Sequence, residues 1–262
     1  MSYSGLKITS LIAVLVIAGL LAGCGGTKVL KEPQPMQVTQ PLAAVSNSQV
    51  AATLDWVIVR DGPGTWAKNA DWDEYLLRIQ NLSDEPLKVT RIVVVDSLDT
   101  PVTPMPGRKE LVKASKKTAR RYKDSGIKVK AGRGAGTMLV AGAAVTVVGV
   151  GAASAAATGA IMSGAATAGG AGVAAGGLLL LGPAVVVGGI VRGVRNSAVN
   201  EQIEQRQTKL PFTISTSEEL ALDIFFPLAP SPRMIEVTYV GSNGEERVAV
   251  DTEAALRGLH ID

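Results

Sequence analysis

The feature that most constrains this chain is a run of 58 residues, from Gly134 to Val191, that contains no charged side chain. Glycine, alanine, valine and leucine make up most of the run. At about 1.5 Å per residue, a helix of this length would cross the ~30 Å apolar core of a bilayer nearly three times. The run therefore predicts a Gly/Ala-rich hydrophobic helical hairpin over residues 134–191, with arms at about 137–160 and 170–191.

Small residues within this run recur at every fourth position: Gly151, Ala155, Gly159 and Ser163, and then Ala168, Gly172 and Gly176. A spacing of four places them on one helix face, where two backbones can approach closely in lipid. The pattern resembles the glycine-zipper segments of bacterial envelope proteins. Pro183 predicts a kink in the second arm. The alternative is a segment that packs on protein or lacks regular structure.

Basic residues precede the apolar run. Residues 106–133 contain eleven basic side chains and only two acidic ones, Glu110 and Asp124. We interpret this segment as a basic linker that contacts anionic lipid headgroups. The proposed contact residues are Lys116, Lys117, Arg120, Arg121, Lys128, Lys130 and Arg133. A solvated linker is the alternative, and nucleic acid is disfavoured for an exported protein. After the run, residues 192–207 predict a polar helix.

Strand patterns lie on both sides of the insertion, in residues 51–105 and 208–252. In the first block the β-rich stretches are 53–60, 74–80 and 87–95, and the turn residues at 81–86 predict an antiparallel hairpin. In the second block they are 220–226, 233–240 and 246–250. Asn243-Gly244 between alternating stretches predicts a tight hairpin, because both residue types tolerate positive φ.

Together the two blocks supply about seven short strands, the number expected for an immunoglobulin-like β-sandwich. We therefore predict a mainly β fold with an α insertion: a single sandwich interrupted by the hydrophobic hairpin. Two separate β-units are the alternative. If the blocks pair, both ends of the hairpin lie on one side of a membrane. Both ends of the hairpin are flanked by basic residues, which at the inner membrane belong on the cytoplasmic side. Such flanks therefore fit a hairpin that enters the outer membrane from the periplasm better than one that enters the inner membrane from a translocated domain.

The N-terminus carries Lys7 followed by an apolar stretch at 8–21, which is short for a membrane span and typical of a secretory signal. It ends in Leu21-Ala22-Gly23-Cys24, and Cys24 is the only cysteine of the chain. This tetrapeptide resembles the lipobox of bacterial lipoproteins. The resemblance implies cleavage between Gly23 and Cys24 and covalent lipid on the Cys24 thiol. Two or more acyl chains give stable anchoring where one does not.

The same resemblance implies sorting to the outer membrane, because glycines rather than aspartate follow Cys24. Residues 1–23 are then a signal peptide, which leaves 239 residues, enough for one or two domains. Residues 24–50 are polar with scattered prolines and predict a flexible tether. Residues 253–262 are interpreted as a tail.

No residue set predicts catalysis. His260 is the only histidine, interpreted as a solvated tail residue, so a histidine-based triad or a multi-histidine metal site is excluded. Acidic residues gather near three tryptophans: Asp55, Asp61, Asp71, Asp73 and Glu74 near Trp56, Trp66 and Trp72. We favour core tryptophans beside a solvated loop over a carbohydrate or divalent-ion site.

The expected function is that of a non-enzymatic outer-membrane lipoprotein with a structural or assembly role. We expect no metal and no cofactor apart from the lipid on Cys24. The expected partners are membrane lipid and either further copies of the chain or other envelope proteins, without nucleic acid. The alternative is a pore or a transport or secretion channel that the Gly-rich hairpins of several copies form.

Overall fold

The computed structural model describes residues 27–36, 38, 40–141, 147–149 and 195–262. These residues form twelve strands and three helices. The strands are β1 (Lys28–Val29), β2 (Ala43–Ser46), β3 (Val50–Ile58), β4 (Ala67–Lys68), β5 (Trp72–Asn81), β6 (Leu87–Val95), β7 (Pro101–Val102), β8 (Val147–Gly149), β9 (Phe212–Ile214), β10 (Glu219–Pro227), β11 (Met234–Gly241) and β12 (Gly244–Asp251). The helices are α1 (Arg108–Asp124), α2 (Ala135–Ala141) and α3 (Arg195–Arg206).

Two sheets form the body of the domain. The first has the strand order β10-β5-β3-β2-β8, and the second has the order β12-β11-β6-β7 with β9 beside β6. A short ribbon joins β1 and β4. The pairs are antiparallel except for β2 with β8. The prediction of a mainly β fold with helices is confirmed at this level.

Strands from before and after the insertion share both sheets. β10 pairs with β5 along its whole length, from Glu219 opposite Gln80 to Pro227 opposite Trp72, and β11 pairs with β6. One hydrophobic core lies between the sheets, because alternate residues of each strand point inward. Its fully buried members include Leu77 and Ile224 from the first sheet and Ile92 and Val237 from the second.

The turn at 81–86 does not close the predicted hairpin, because β5 and β6 lie in different sheets. The Asn81 side chain donates to the carbonyls of Glu85 at 2.8 Å and Ser215 at 3.1 Å, which holds the chain as it passes between sheets. The immunoglobulin-like connectivity is not observed either. In that fold the second and third strands lie in opposite sheets. Here the second and third strands of the two main sheets are β3 and β5, because β1 and β4 form the separate ribbon, and they pair directly in one sheet.

The second predicted hairpin is confirmed. β11 and β12 pair up to Gly241 opposite Gly244, so Ser242 and Asn243 form the loop. Gly244 has a φ of 100°, which a residue without a Cβ adopts at little cost.

The antiparallel register gives the domain two distinct ends. At one end, Ile58 lies opposite Glu74 in the first sheet, and Met234 lies opposite both Val95 and Asp251 in the second. We call this the connection end; its loops are 59–71, 96–100 and 228–233, and residues 252–262 follow β12 there. At the turn end, the turns 47–49, 81–86, 215–218 and 241–244 meet, and the Leu82 N–H donates to the Gln49 carbonyl at 2.7 Å.

Helix α1 lies across the connection end, so the segment predicted as a basic linker contains a packed helix. Its buried residues are Leu111, Ser115, Thr118 and Tyr122, a spacing of three and four that forms one helix face. Ser115 Oγ donates to the Asp71 carbonyl at 2.5 Å and accepts from the Leu228 N–H at 3.0 Å. The Tyr122 hydroxyl donates to the Pro230 carbonyl at 3.2 Å and lies 2.9 Å from Ser97 Oγ.

The tether prediction for residues 24–50 also differs from the structure. Leu30 N–H donates to the Trp66 carbonyl at 2.8 Å, and Gln34 N–H donates to the Thr65 carbonyl at 2.9 Å. Leu42 is 1% exposed, and β2 extends the first sheet beyond β3. The apolar stretch from Leu42 to Val45 therefore belongs to the domain, because burying it against β3 satisfies both its backbone and its side chains.

The start of the apolar run holds helix α2, which is seven residues long, and strand β8. β8 pairs in parallel with β2, whereas the predicted first hairpin arm made these residues helical. Valines favour a strand, and β2 offers an edge. Residues 150–191, which include Gly151, Ala155, Gly159, Ser163, Gly172 and Gly176, lie outside the described residues, as do residues 1–26. Among the described residues, no helix combines the length and the apolar character that crossing a membrane requires.

Candidate functional site

Loop 59–71 at the connection end contacts three other segments of the chain. Residues 27–36, which follow Cys24, run beside it, and β1 pairs with its strand β4. Gly132, at the entry to the apolar run, has a φ of 78°, and a Cβ there would collide with the Arg60 carbonyl. Helix α3, which follows the run, contacts β1, and its Arg206 side chain lies over the Trp66 ring. The residues after Cys24, the segment just before the apolar run and the helix that follows it therefore meet at one end of the domain.

Helix α1 carries a row of positive charge on the face opposite its buried residues. The row consists of exposed side chains three and four residues apart: Lys109, Lys113, Lys116, Arg120 and Lys123. We call these five residues the basic stripe. It extends over about 21 Å of helix, and the exposed Lys117 lies beside it. Because α1 covers the connection end, the stripe faces away from the domain there.

Arg121 was included among the predicted headgroup contacts, but it has a different role. Its guanidinium pairs with the fully buried carboxylate of Asp96, which also accepts from the backbone N–H groups of Leu98 and Thr100. This ion pair fixes α1 to loop 96–100. Sequence reasoning missed it because only the fold brings Asp96 to α1.

The other predicted contacts divide into two groups. Lys116, Lys117, Arg120 and Lys130 are exposed. Lys128 and Arg133 are also exposed, but their side chains pair with Asp262 at 2.9 Å and 3.6 Å. Those pairs lower the pKa of the Asp262 carboxyl, mainly through the hydrogen bond from Lys128.

His260 is fully buried, so its interpretation as a solvated tail residue is wrong. Its Nδ1 accepts from the Gly132 N–H at 3.1 Å, and therefore the proton lies on Nε2, which donates to Asp73 Oδ2 at 2.8 Å. Backbone hydrogen bonds join the same two segments: Lys130 N–H donates to the His260 carbonyl, and His260 N–H donates to the Arg133 carbonyl. Residues 258–262 thus attach the segment 128–133 to the β-domain.

The His260–Asp73 pair has the residue types of an acid–base dyad, but both ring nitrogens are engaged and neither side chain reaches solvent. Tyr75, two residues along β5, is also fully buried. Burial raises the pKa of the Tyr75 hydroxyl well above its usual range, and the nearby Asp73 charge raises it further. This arrangement holds the last residues in place rather than presenting a base to a substrate.

A second buried carboxylate lies next to Asp73, on the opposite face of β5. Glu74 is 1% exposed; its Oε2 accepts from Trp66 Nε1 at 2.6 Å, and its Oε1 accepts from Arg206 Nε at 2.8 Å. The Arg206 guanidinium lies 5.3 Å from the Trp66 ring centroid, and Asp223 Oδ2 lies 4.0 Å from Arg206 Nε. These contacts attach the end of α3 to the first sheet.

The acidic residues near the tryptophans are thus mostly paired rather than solvated. The three tryptophans are buried, which confirms the core interpretation. The Asp55 carboxylate accepts two hydrogen bonds from Arg78, at 2.7 Å and 2.8 Å, and Asp71 pairs with Arg60 at 2.7 Å. In the part of the chain that the structure describes, no group of three His, Cys, Asp or Glu residues is arranged to hold a metal ion.

Glu74 gives a testable pH dependence of stability. Burial raises its pKa from 4.5 to about 7, against the opposing charge of Arg206. Between these two pH values the folded chain binds more protons than the unfolded chain. The stability that Glu74 contributes through its raised pKa is therefore fully present below pH 4.5 and is lost as the pH rises through 7. Because of Glu74, we expect the free energy of unfolding to fall by about 1 kcal/mol when the pH rises from 6 to 8.

Denaturant unfolding of the full chain at several pH values would measure this slope. Glu74→Gln, which cannot ionise, should flatten it, whereas Glu236→Gln on β11 should leave it unchanged. An undiminished slope in Glu74→Gln would assign the pH dependence to another group, such as Asp223, whose pKa burial also raises.

No protein-family model matches the chain, and no curated protein matches it. Among solved structures, the chain is similar to ycdA, a candidate lipoprotein from Bacillus subtilis subsp. subtilis str. 168, at 8% identity and a TM-score of 0.31. The match covers 80% of this chain and 38% of that chain, so the chain spans less than half of that protein's length. A likeness this weak establishes neither the fold nor the function.

Proposed function

We propose that the chain is a lipid-anchored envelope protein with a structural or assembly role and no enzymatic activity. Its β-domain lies in the periplasm, and its connection end faces the outer membrane. The observation that carries this proposal is the meeting of three parts at loop 59–71: the residues after Cys24, the segment just before the apolar run and the helix that follows the run.

This meeting matters because a segment that enters a bilayer and returns must begin and end on the same side. Gly132 and Arg206 both contact residues at the connection end of the domain, on opposite sides of the apolar run in sequence. The lipobox residue Cys24 precedes Thr27 by three positions, and Thr27 Oγ1 lies 3.5 Å from the Asn69 carbonyl of the same loop. A lipid on Cys24 and an apolar run in the membrane would therefore hold the same end of the domain.

Replacing Cys24 with alanine tests the two attachments separately. The variant is exported through an ordinary cleavable signal, and wild type is expressed beside it. We expect radiolabelled palmitate to enter wild type and not the variant, because the lipid is attached to the thiol. We also expect the variant to remain in the membrane pellet after alkaline carbonate extraction, because the apolar run remains.

Two outcomes would contradict the proposal. Palmitate labelling that survives in Cys24→Ala would refute lipidation at this cysteine. Release of the variant into the soluble fraction would refute membrane attachment through the apolar run.

The small-residue spacing of the apolar run supports a second candidate, a pore or a transport or secretion channel that several copies form. The polar residues available to line it are few: Thr146, Ser154, Thr158, Ser163 and Thr167. Conductance of the purified protein in planar bilayers separates the candidates. Discrete channel openings would favour the pore, and their absence in oligomeric preparations would favour the structural role.

A further inference from the structure

We propose that the basic stripe of α1 is a docking surface for anionic phospholipid headgroups, which seats the connection end of the domain on the bilayer. The proposal rests on the proposed function and names the partner of this end of the domain. It replaces a diffuse basic linker with a defined row of five side chains on one helix face.

The stripe is held rigidly. The opposite face of α1 is anchored by Ser115 on loops 59–71 and 228–233, by Tyr122 on loops 96–100 and 228–233, and by the pairing of Arg121 with Asp96. A helix fixed in this way presents its charges at constant positions, so binding costs the backbone little conformational entropy. The long lysine side chains remain free to adjust to individual headgroups.

The distribution of charge over the domain favours one orientation. Acidic residues lie in the turns of the turn end or directly after them: Asp84 and Glu85 at one turn, Glu218 and Glu219 at another, and Glu245 and Glu246 at a third. An anionic surface attracts the basic stripe and repels these turns. The same electrostatic field therefore brings the connection end to the membrane and directs the turn end away from it.

The stripe suits a lipid surface better than a partner with a complementary pocket. Among the large apolar and aromatic residues of α1, Leu111 and Tyr122 are fully buried against the domain, and Val112 is partly buried against the core. The exposed face is a row of cations, which matches a plane of mobile negative charges. The residues that follow Cys24 and the two segments that flank the apolar run contact this same end, where the proposed function already brings lipid.

Vesicle binding tests the docking surface. Full-length Cys24→Ala protein, purified in detergent, is diluted into vesicles of phosphatidylcholine alone or with phosphatidylglycerol, and bound protein is measured by sedimentation. Binding to the neutral vesicles reports the apolar run, and the additional binding to the anionic vesicles reports the stripe. The two measurements keep a failure of this proposal distinct from a failure of the proposed function.

The decisive variant reverses three stripe charges: Lys113→Glu, Lys116→Glu and Arg120→Glu. Its matched control makes the same change of net charge at three exposed residues on the turn-end side: Lys88→Glu, Lys209→Glu and Arg247→Glu. At roughly fivefold per basic residue near an anionic surface, losing the three positive charges alone lowers the affinity for anionic vesicles about a hundredfold, and we expect the introduced glutamates to lower it further. The control should lose much less, and 0.5 M salt should remove most of the wild-type preference.

Circular dichroism of both triple variants checks that the domain is folded. If the stripe variant is not folded, Lys113→Gln, Lys116→Gln and Arg120→Gln together provide a milder test with the same expected direction. Equal losses in the stripe and control variants would overturn the proposal, as would equal wild-type binding to neutral and anionic vesicles. Tighter wild-type binding to single-stranded DNA or to an acidic protein than to anionic vesicles at the same salt would also overturn it.

Discussion

Replacing Arg206 with alanine is expected to lower the free energy of unfolding by about 3 kcal/mol at pH 8. Arg206 is the cationic partner of Glu74, whose carboxylate is 1% exposed and accepts a further hydrogen bond from Trp66. Without the guanidinium, an ionised Glu74 would remain buried beside Asp223 with its largest stabilising contact removed. The substitution also uncovers the Trp66 ring.

The loss should depend on pH in a defined direction. Because the charge of Arg206 lowers the pKa of Glu74, that pKa rises above about 7 in the variant, and Glu74 takes up a proton more readily. A neutral Glu74 is less costly to bury, so we expect about half of the loss at pH 6. Denaturant unfolding of the full chain in detergent, followed by circular dichroism, would measure both values.

Arg233→Ala is the matched control for this substitution. Arg233 also pairs with a carboxylate, at 2.6 Å from Asp99, but its side chain is 40% exposed and that of Asp99 is 71% exposed. Exposed ion pairs contribute less than about 1 kcal/mol, so this variant should remain near wild type at both pH values. Equal losses in the two arginine variants, or a loss in Arg206→Ala that does not change with pH, would contradict the assigned role of the Glu74 pair.

The strands are the part of the fold that the sequence predicts best. Residues 87–95 coincide with β6, and the stretches at 220–226 and 233–240 fall on β10 and β11. Alternating apolar residues produce this signal locally, and it survives in the fold because each strand buries one face. The hairpin turn at Ser242 and Asn243 is equally local, since the positive φ that it needs falls on Gly244, directly after the loop.

The turn at 81–86 shows where local patterns stop being informative. Asn, Ser, Asp and Pro close a hairpin or turn a corner between sheets with equal ease. The choice is made by contacts of Asn81 with the carbonyls of Ile214 and Ser215, which lie on the far side of the insertion in sequence. No window of residues around the turn contains that information.

Helix α1 was missed for a different reason. Its buried face consists of Leu111, Ser115, Thr118 and Tyr122, of which only two are large, while eight of its seventeen residues are basic. The apolar periodicity is therefore weak beside the charge. The stripe itself was visible in the sequence as a basic segment, but its order on one face depends on the helix.

The buried ion pairs were the least predictable part of the candidate site. Asp73 and Glu74 are adjacent in sequence, yet β5 directs them to opposite faces, and their partners His260 and Arg206 lie more than 130 residues away. Each pair attaches a segment beside the apolar run: His260 also binds Gly132 at its entry, and Arg206 ends the helix that follows its exit. Two neighbouring carboxylates of one strand thus help to hold the segments on either side of the run at the connection end.

Replacing Asp73 with alanine is the second change with a large expected effect. It removes the acceptor of the His260 Nε2–H in a site where neither side chain contacts solvent. A buried donor without a partner costs about 1–3 kcal/mol, and the lost volume adds to this, so we expect a loss of about 3 kcal/mol in the free energy of unfolding. Hydrogen exchange should accelerate in residues 128–134 and 258–262 more than elsewhere, because His260 holds both segments.

Two companion variants separate this mechanism from a general loss of packing. Asp73→Asn keeps an oxygen that accepts from Nε2–H, so it should recover most of the stability and protection. Asp262→Ala removes a carboxylate from the same contact region, where its ion-pair partner Lys128 is 78% exposed, and it should leave exchange at Gly132 and His260 nearly unchanged. If Asp73→Asn exchanges as fast as Asp73→Ala in these segments, the hydrogen bond is not what holds them. If Asp262→Ala exchanges as fast as Asp73→Ala, the buried pair has no special role, because the surface ion pairs hold the entry to the apolar run equally well.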